Sequence, residues 1–330
     1  MQYVEKIGKI KDNDTALFYV PSRENNLLRT LIKANDGLLS KNSLKSIFRE
    51  IMSASLALEH ELCIGYLGSE GAFTHRAAIN RFGHSVKYKS YSSIKDIFEE
   101  VSKTRVDYGV VPIENSTEGS VTHTLDMFVD YDLKICSEIS LPIKHHMLVK
   151  NKNSKINKIY SNPQVFGQCR HWLQENYPGV DLLHTDSTTA AAQQASQEKN
   201  TAALASEIVA EIYDLKILHS NIQDFTSNVT RFLIIGQQFA DPTEHDKTSI
   251  VFSLKNEAGI LSDALESFKK YKINLNKIES RPSKQDIWQY YFFIDLEGHF
   301  EEPIISKCLG LLKKKCIFFK ILGSYPKEVQ

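Results

Sequence analysis

The sequence predicts an α/β multidomain protein on three observations. Helix-spaced apolar residues fill 1–60. Short apolar runs alternate with helical patterns from Cys63 to Gly236. A polar, proline-bearing stretch, 237–247, then separates both from a final strand–helix–strand–strand–helix–strand series. A chain of 330 residues is long enough for two or three domains, each burying its own core. The expected division is an α-helical segment over 1–60, a two-lobed α/β unit over 61–238, and a linker with a ferredoxin-like α+β (βαββαβ) unit over 239–330.

In order, 1–60 reads as helix, turn, helix, turn, helix. Ser22 is the expected N-cap of a helix carrying Leu27, Leu28, Leu31 and Ile32, and Gly37 its stop. The next helix sets Leu44, Ile47, Phe48, Ile51, Met52 and Leu56 on one broad face. Sixty residues of helix cannot bury two such faces alone, so a partner chain or another domain is expected to cover them.

From Cys63 to Leu67 a short strand leads into GSEGAFTH and a helix over Arg76 to Phe82. Gly68, Gly71 and a capping Thr74 would present free backbone N–H groups to an anion. A helix with Ile94, Ile97, Phe98 and Val101 precedes a strand from Tyr108 to Pro112. The loop that follows, IENSTEGSVTHTLD, gathers Glu114, Asn115, Ser116, Thr117 and Ser120 around Gly119, which suits an oxygen-rich ligand. Further strands are expected at Lys144–Val149, Ile159–Ser161 and Ala202–Ala205. Between them Gln164 and Gln168, four apart, share a helical face, and Ser187 or Thr188 opens an alanine-rich helix with an anion-ready end. Phe232 to Ile235 is a buried return strand with Thr226, Ser227, Asn228, Thr230 and Arg231 crowded at its mouth. Two lobes with polar loops at their strand ends imply a cleft between them. In the last unit, strands are expected at Thr248–Lys255, Ile273–Ser280, Trp288–Leu296 and Ile317–Leu322, and helices at Gly259–Tyr271 and Pro303–Lys314.

Forty basic and forty acidic residues cancel, so no long-range field recruits nucleic acid or an anionic membrane, and a small-molecule partner is expected. The five cysteines are scattered, with no Cys-x-x-Cys pair, which argues against a disulfide framework or zinc site and for reduced cytoplasmic thiols. No signal peptide or membrane-spanning apolar run appears. His145 and His146 form the one adjacent histidine pair, at a strand entry with no matching carboxylates, and are expected to be structural; no metal is expected.

GSEGAFTH, VPIENSTEGSV, LPIKHHMLV, SNPQVFGQC, DSTTAAA and NVTRFLII, in this order and spacing, resemble prephenate dehydratase. The resemblance implies two periplasmic-binding-protein-like lobes and a cofactor-free conversion of prephenate to phenylpyruvate, with loss of carbon dioxide and hydroxide, in phenylalanine biosynthesis. It places the hydroxyl that assists the departing hydroxide on Thr230. Arg231 and the helix starts near Thr74, Ser187 and Thr188 would hold carboxylates, while Asn115, Ser116, Ser161, Gln164 and Gln168 orient the rest. Glu114 is expected to be structural rather than a second acid. Ala72 and Ser69 stand where the family usually has threonine and proline, removing a hydroxyl from the first loop. The motifs do not separate prephenate from arogenate, and a non-catalytic sensor that keeps the cleft is the reading from another class.

IGKIK, VPSRE and SASLALE resemble the all-helical chorismate mutase, which implies mutase groups at Lys11, Arg23, Glu24, Ser55 and Glu59. That family's first helix carries further arginines, and only its tail, 2–11, is present here. A vestigial mutase, a mutase whose chain begins upstream, and a dimerisation module are the readings. NEAGILSDAL and KIESRP resemble the ACT domain of prephenate dehydratases. This implies phenylalanine as effector at Asn256, Ala258, Gly259, Ile260, Leu261, Leu265, Glu279 and Ser280, across the interface of a homodimer or homotetramer, with the bulky Ile260 narrowing the pocket.

Overall fold

A computed structural model describes residues 19–225, 227–283 and 289–328. Two helices, α1 (Pro21–Ala34) and α2 (Lys41–Glu59), open this part of the chain. Val20, not Ser22, is the N-cap of α1: Pro21 takes the first helical position, where its missing N–H is no loss, and Ser22 is buried in the first turn. The helix ends at Ala34 with Asn35 extended, before Gly37 is reached. On α2 only Leu44 of the expected apolar face is buried, while Ile47 and Ile51 stand exposed. Tyr19, fully buried, anchors this segment on the next domain, its ring 4.8 Å from Phe82 and 5.0 Å from Tyr108.

The first lobe contains β1 (Cys63–Leu67), α3 (Phe73–Phe82), β2 (Lys87–Tyr91), α4 (Ile94–Ser102), β3 (Tyr108–Asn115), β4 (Gly119–Ser120), α5 (Thr122–Asp130) and β5 (Lys134–Pro142). The second contains β6 (His146–Val149), β7 (Lys158–Ser161), α6 (Pro163–Gln168), α7 (Arg170–Asn176), β8 (Asp181–His184), α8 (Thr188–Gln197), β9 (Thr201–Ala205), α9 (Glu207–Ile212) and β10 (Lys216–His219). The chain then returns through β11 (Val229–Gly236) into the first sheet, whose order is β2-β1-β3-β11-β5 with β4 beside β3. Leu233 and Ile235 enter the core on one face of that sheet, and Phe232 and Ile234 the core on the other. Burial on both faces is why this strand reads as a continuous apolar run. The second sheet, β10-β6-β9-β7-β8, centres on the wholly buried β9, and the alanines of α8 pack flat on it.

The third unit is βαββαβ: β12 (Asp246–Ser253), α10 (Ile260–Tyr271), β13 (Leu275–Pro282), β14 (Tyr290–Glu297), α11 (Pro303–Lys313) and β15 (Phe318–Pro326). Its antiparallel sheet has the order β13-β14-β12-β15. Ile250, Phe252 and Ile294 face α10 and α11, while Val251, Phe293 and Leu322 turn the other way into the core of the first lobe. At Gly323 the approach to β5 is so close that an added Cβ would lie 2.2 Å from the carbonyl oxygen of Ile135. The third unit is therefore docked on the first lobe backbone to backbone.

Candidate active site

The lobes are joined twice, at 143–145 between β5 and β6 and at 220–228 between β10 and β11. The two joints lie side by side: Ile143 N donates to Asn228 O at 2.8 Å and Ile222 N to His145 O at 2.9 Å. Above them opens a cleft of about 310 Å³, lined by Leu67–Ser69 and Ala72–Thr74 of the first lobe, Asn162, Gln164, Val165, Gln168 and Asp186–Thr189 of the second, and Asn115, Ile143, His145, Thr230 and Phe232 at its floor. Three helices start at this cleft, α3, α6 and α8; the first N–H groups of α3 and α8 face it, while six-residue α6 opens on Pro163, which has no N–H. Asn162 and Ser187 are side-chain caps, accepting from Val165 N at 2.8 Å and Ala190 N at 3.0 Å. Thr74 does not cap α3; Ala72 is at the cap position and Thr74 is buried within the first turn, still lining the cleft. Gly71, at φ +86°, has no room for a Cβ, which would sit 2.8 Å from Val209 of the other lobe.

The floor is a hydrogen-bonded chain. Asn115 Nδ2 donates to Thr230 Oγ1 at 2.7 Å and to Asn228 Oδ1 at 2.8 Å, while its Oδ1 accepts from Thr117 N at 2.9 Å. Asn228 Nδ2 donates to Gln168 Oε1 at 3.3 Å, and that oxygen lies 2.7 Å from His145 Nε2. Gln164 and Gln168 both donate to Glu118, a first-lobe residue, the latter at 2.8 Å, so one carboxylate clasps the second lobe across the cleft mouth. The Thr230 oxygen thus receives a hydrogen bond from Asn115, leaving its own proton to be given to a ligand. Among the described residues lining the cleft there is no lysine or arginine.

The model of the family described as prephenate dehydratase matches residues 64–240. The chain belongs to the prephenate dehydratase family. The chorismate mutase type II model matches 1–60 and the ACT domain model 248–309. A bifunctional chorismate mutase/prephenate dehydratase of Aquifex aeolicus is 46% identical over 330 residues, covering 98% of this chain and 91% of that one. A prephenate dehydratase from Arthrobacter aurescens, solved in complex with L-Phe, superposes with a TM-score of 0.74 at 29% identity, covering 81% of this chain and 90% of that one. GqqA, described as a novel type of quorum-quenching acylase, superposes with a TM-score of 0.73 at 25% identity, covering 81% of this chain and 98% of that one. One fold thus carries differently named chemistries, and the side chains in the cleft have to discriminate.

As a prephenate dehydratase family member, the chain departs from the sequence expectation at three cleft residues. Arg231 faces away from the cleft: strand alternation that puts Thr230 and Phe232 inside sends Arg231 to the opposite face of β11. There it meets Glu138 (Nε to Oε2, 2.7 Å), Asp295 of the ACT domain (2.7 Å), the Tyr325 hydroxyl (3.0 Å) and Glu114 (3.6 Å). Burial works against its charge, yet Tyr325, Asp295 and Glu138 together hold the guanidinium well above its ordinary pKa. Ser161 is fully buried and its hydroxyl donates to Leu204 O at 2.9 Å, a core bond between β7 and β9. Ser116 ties its loop to β11, donating to Ser227 O at 3.1 Å and accepting from Val229 N at 3.0 Å. Asn115, Gln164, Gln168, Ser187, Thr188, Thr74 and Thr230 all come to the cleft. Glu114 pairs with Lys277 of the ACT domain at 3.0 Å.

Sequence reasoning missed His145, Asn228 and Glu118. The strand-entry position of His145, with no matching carboxylates, points to a structural role; its partner Gln168 lies in another motif, and only the fold joins them.

In the ACT domain, Asn256, Ala258 and Gly259 form an exposed loop, and Ile260, Leu261 and Leu265 pack against the domain core. Ser280 is exposed, but Glu279 is not on its face: on β13, Lys277, Glu279 and Arg281 all turn to the catalytic lobe. Ser120 Oγ donates to Glu279 at 2.8 Å, Lys277 Nζ donates to Ser120 at 2.8 Å, and Arg281 pairs with Asp126 at 3.0 Å. Glu279 therefore serves the docking of the two domains in this arrangement. Of the mutase-like residues, Lys11 lies outside the described residues. Arg23 is exposed, Glu24 lies 3.5 Å from Arg81 of the catalytic lobe, Ser55 donates to Ile51 O at 2.9 Å, and Glu59 is half-buried at the end of α2. These described residues do not converge on one cavity. Among the described residues no cluster of His, Cys, Asp and Glu is arranged to hold a metal ion, and no helix is long and apolar enough to cross a membrane.

Proposed function

We propose that the chain is a prephenate dehydratase whose ACT domain binds phenylalanine. The observation that carries the reading is Thr230: a buried hydroxyl whose oxygen accepts from Asn115 and whose proton is free for a ligand, at the floor of a cleft ringed by three helix N-termini. Prephenate is a dianion bearing one ring hydroxyl. Backbone N–H groups at the starts of α3 and α8 suit its two carboxylates, and they do so without a lining cation. The apolar side chains Leu67, Phe73, Val165 and Phe232 accept the ring. Thr230 donates to the departing oxygen as the ring carboxylate leaves as carbon dioxide, and aromatisation drives the reaction. Stabilising charge that develops only at the leaving oxygen lowers the barrier rather than merely tightening binding.

A second activity has its own support, since the chorismate mutase model matches 1–60 and full-length relatives carry both names. On this reading Arg23, Glu24, Ser55 and Glu59, with Lys11, serve a chorismate site completed by a second chain. The exposed apolar residues Leu27, Ile47, Ile51 and Leu58 support a homodimer or larger homo-oligomer through these helices, and exposed Ile278 and Tyr290 support pairing of ACT domains. The deciding experiment is phenylpyruvate formation from prephenate by the purified chain, with chorismate consumption followed alongside. Turnover establishes the lyase; no formation above the spontaneous rate overturns it.

A further inference from the structure

His145 is buried, lines the cleft, and has one ring nitrogen, Nδ1, with no hydrogen-bond partner. Which tautomer it adopts follows from its neighbours. Glu118 offers only acceptor oxygens and receives the side-chain amides of both Gln164 and Gln168. The Gln168 nitrogen is thereby committed to Glu118, so its oxygen is the atom 2.7 Å from His145 Nε2, and the same oxygen also accepts from Asn228. An acceptor opposite Nε2 requires the proton on Nε2. Burial lowers the pKa of the imidazole, which keeps the ring neutral. Nδ1 is then a bare lone pair in a dry site, a group that binds a donor strongly and is unfavourable when left without one.

Prephenate carries two carboxylates and a ketone, all acceptors, and a single hydrogen-bond donor, the ring hydroxyl. An acceptor-only group in a cleft for such a ligand has one possible partner on it. We propose that His145 Nδ1 accepts the hydrogen bond of the substrate's ring hydroxyl and so turns that oxygen's lone pairs toward Thr230, the donor. This rests on the dehydratase reading and adds a second contact to the same leaving oxygen. Phe73 meets the imidazole edge-on, with centroids 5.6 Å apart, and Nδ1 is buried. The proposed contact therefore requires Phe73 to turn aside.

Two variants separate this role from a structural one. In His145→Asn the side-chain oxygen stands near the place of Nδ1 and the contact with Gln168 is lost; in His145→Gln the amide reaches the place of Nε2 and the δ acceptor is lost. Each is assayed for kcat/KM on prephenate and for inhibition by phenylpyruvate, which in its keto form has no ring hydroxyl. The expected result is a fall of roughly tenfold or more in kcat/KM for His145→Gln, a smaller fall for His145→Asn, and inhibition constants within about twofold of the parent for both. Equal activity in all three proteins overturns the assignment, as does a greater loss in His145→Asn than in His145→Gln, or a weakening of phenylpyruvate inhibition that matches the loss in kcat/KM. An inactive parent protein overturns the dehydratase reading instead, so the two failures are distinct.

Discussion

Replacing Arg231 with methionine tests whether this residue serves the substrate or the contact between domains. Its side chain is 16% exposed, and the guanidinium touches Glu138, 7% exposed, and Asp295, 11% exposed, each at 2.7 Å. Removing one member of a buried ion pair leaves uncompensated charge and typically destabilises by about 3–5 kcal/mol. Two remaining contacts soften the loss: Lys247 Nζ stays 2.8 Å from Glu138, and Ser249 Oγ donates to Asp295 at 2.6 Å. The lower end, about 3 kcal/mol, is therefore expected, a fall of roughly 10 °C in the unfolding midpoint of the cooperative unit. Circular dichroism melts give that midpoint, and steady-state assays at a temperature where the variant is folded give KM. Because Arg231 is across the sheet from the cleft, KM for prephenate should stay within about threefold of the parent value. Adding Asp295→Leu, which removes the stranded carboxylate, should recover much of the stability, since apolar groups often replace buried ion pairs without loss. An unchanged midpoint with KM raised about tenfold or more, as expected when a charged hydrogen bond to a substrate carboxylate is removed, would refute this placement of Arg231.

Thr230→Val keeps the volume and removes the donor, so kcat should fall about a hundredfold or more with an unchanged melt; near-parental turnover in this variant would remove Thr230 from the reaction. Glu118→Ala frees both glutamine amides and lets Gln168 turn over, and a loss of roughly tenfold in kcat/KM is expected; small-angle scattering should show a more open unliganded form, and an unchanged profile with unchanged kinetics would count against the clasp. Burial lowers the pKa of His75, His145 and His146 in the folded chain. The unfolded chain therefore binds their protons first as pH falls from about 6.5, and the stability they contribute, full above that pH, is lost toward the lower folded values at about 1.4 kcal/mol per pH unit for each group. His146→Asn, assayed by urea melts between pH 7 and 5, should take up fewer protons on unfolding than the parent and so show a shallower pH slope; an identical slope would show that His146 does not titrate in this window.

Most strands were legible because burial leaves a compositional trace, and those that were not share one position. Lys87–Tyr91, Gly119–Ser120, Lys134–Pro142, Asp181–His184 and Lys216–His219 are not among the strands the sequence predicts, and each pairs on one side only. An edge strand pairs on one side only and needs fewer apolar residues: KYKSY and DLLH carry no continuous apolar run and are largely exposed. The interior strands β9 and β11, buried on both faces, announce themselves as TAALA and FLII. The same logic accounts for the helix ends that moved. Ser22 and Thr74 have capping chemistry, but the caps fell on Val20 and Ala72, each extended at its own ψ of 93° and 155°. Position in the chain's path, not side-chain preference, selected them.

At the site, residue type was legible and facing was not. The adjacent residues Thr230 and Arg231 look like one functional unit in sequence, yet a strand sends neighbours to opposite sides, so at most one of them can reach the cleft. Choosing between them from sequence would have required knowing that Glu138 and Asp295 lie behind the sheet, 93 and 64 positions away in the chain, and no local pattern carries that. Alternation on β13 works the same way. Lys277, Glu279 and Arg281 fall on the face that meets Glu114, Ser120 and Asp126, and Ser280 on the other, so a motif that reads as one binding segment divides into a docking face and an exposed face. Period-two facing could have separated the residues within each motif; which face met the ligand and which met the neighbouring domain depended on contacts made between elements far apart in sequence.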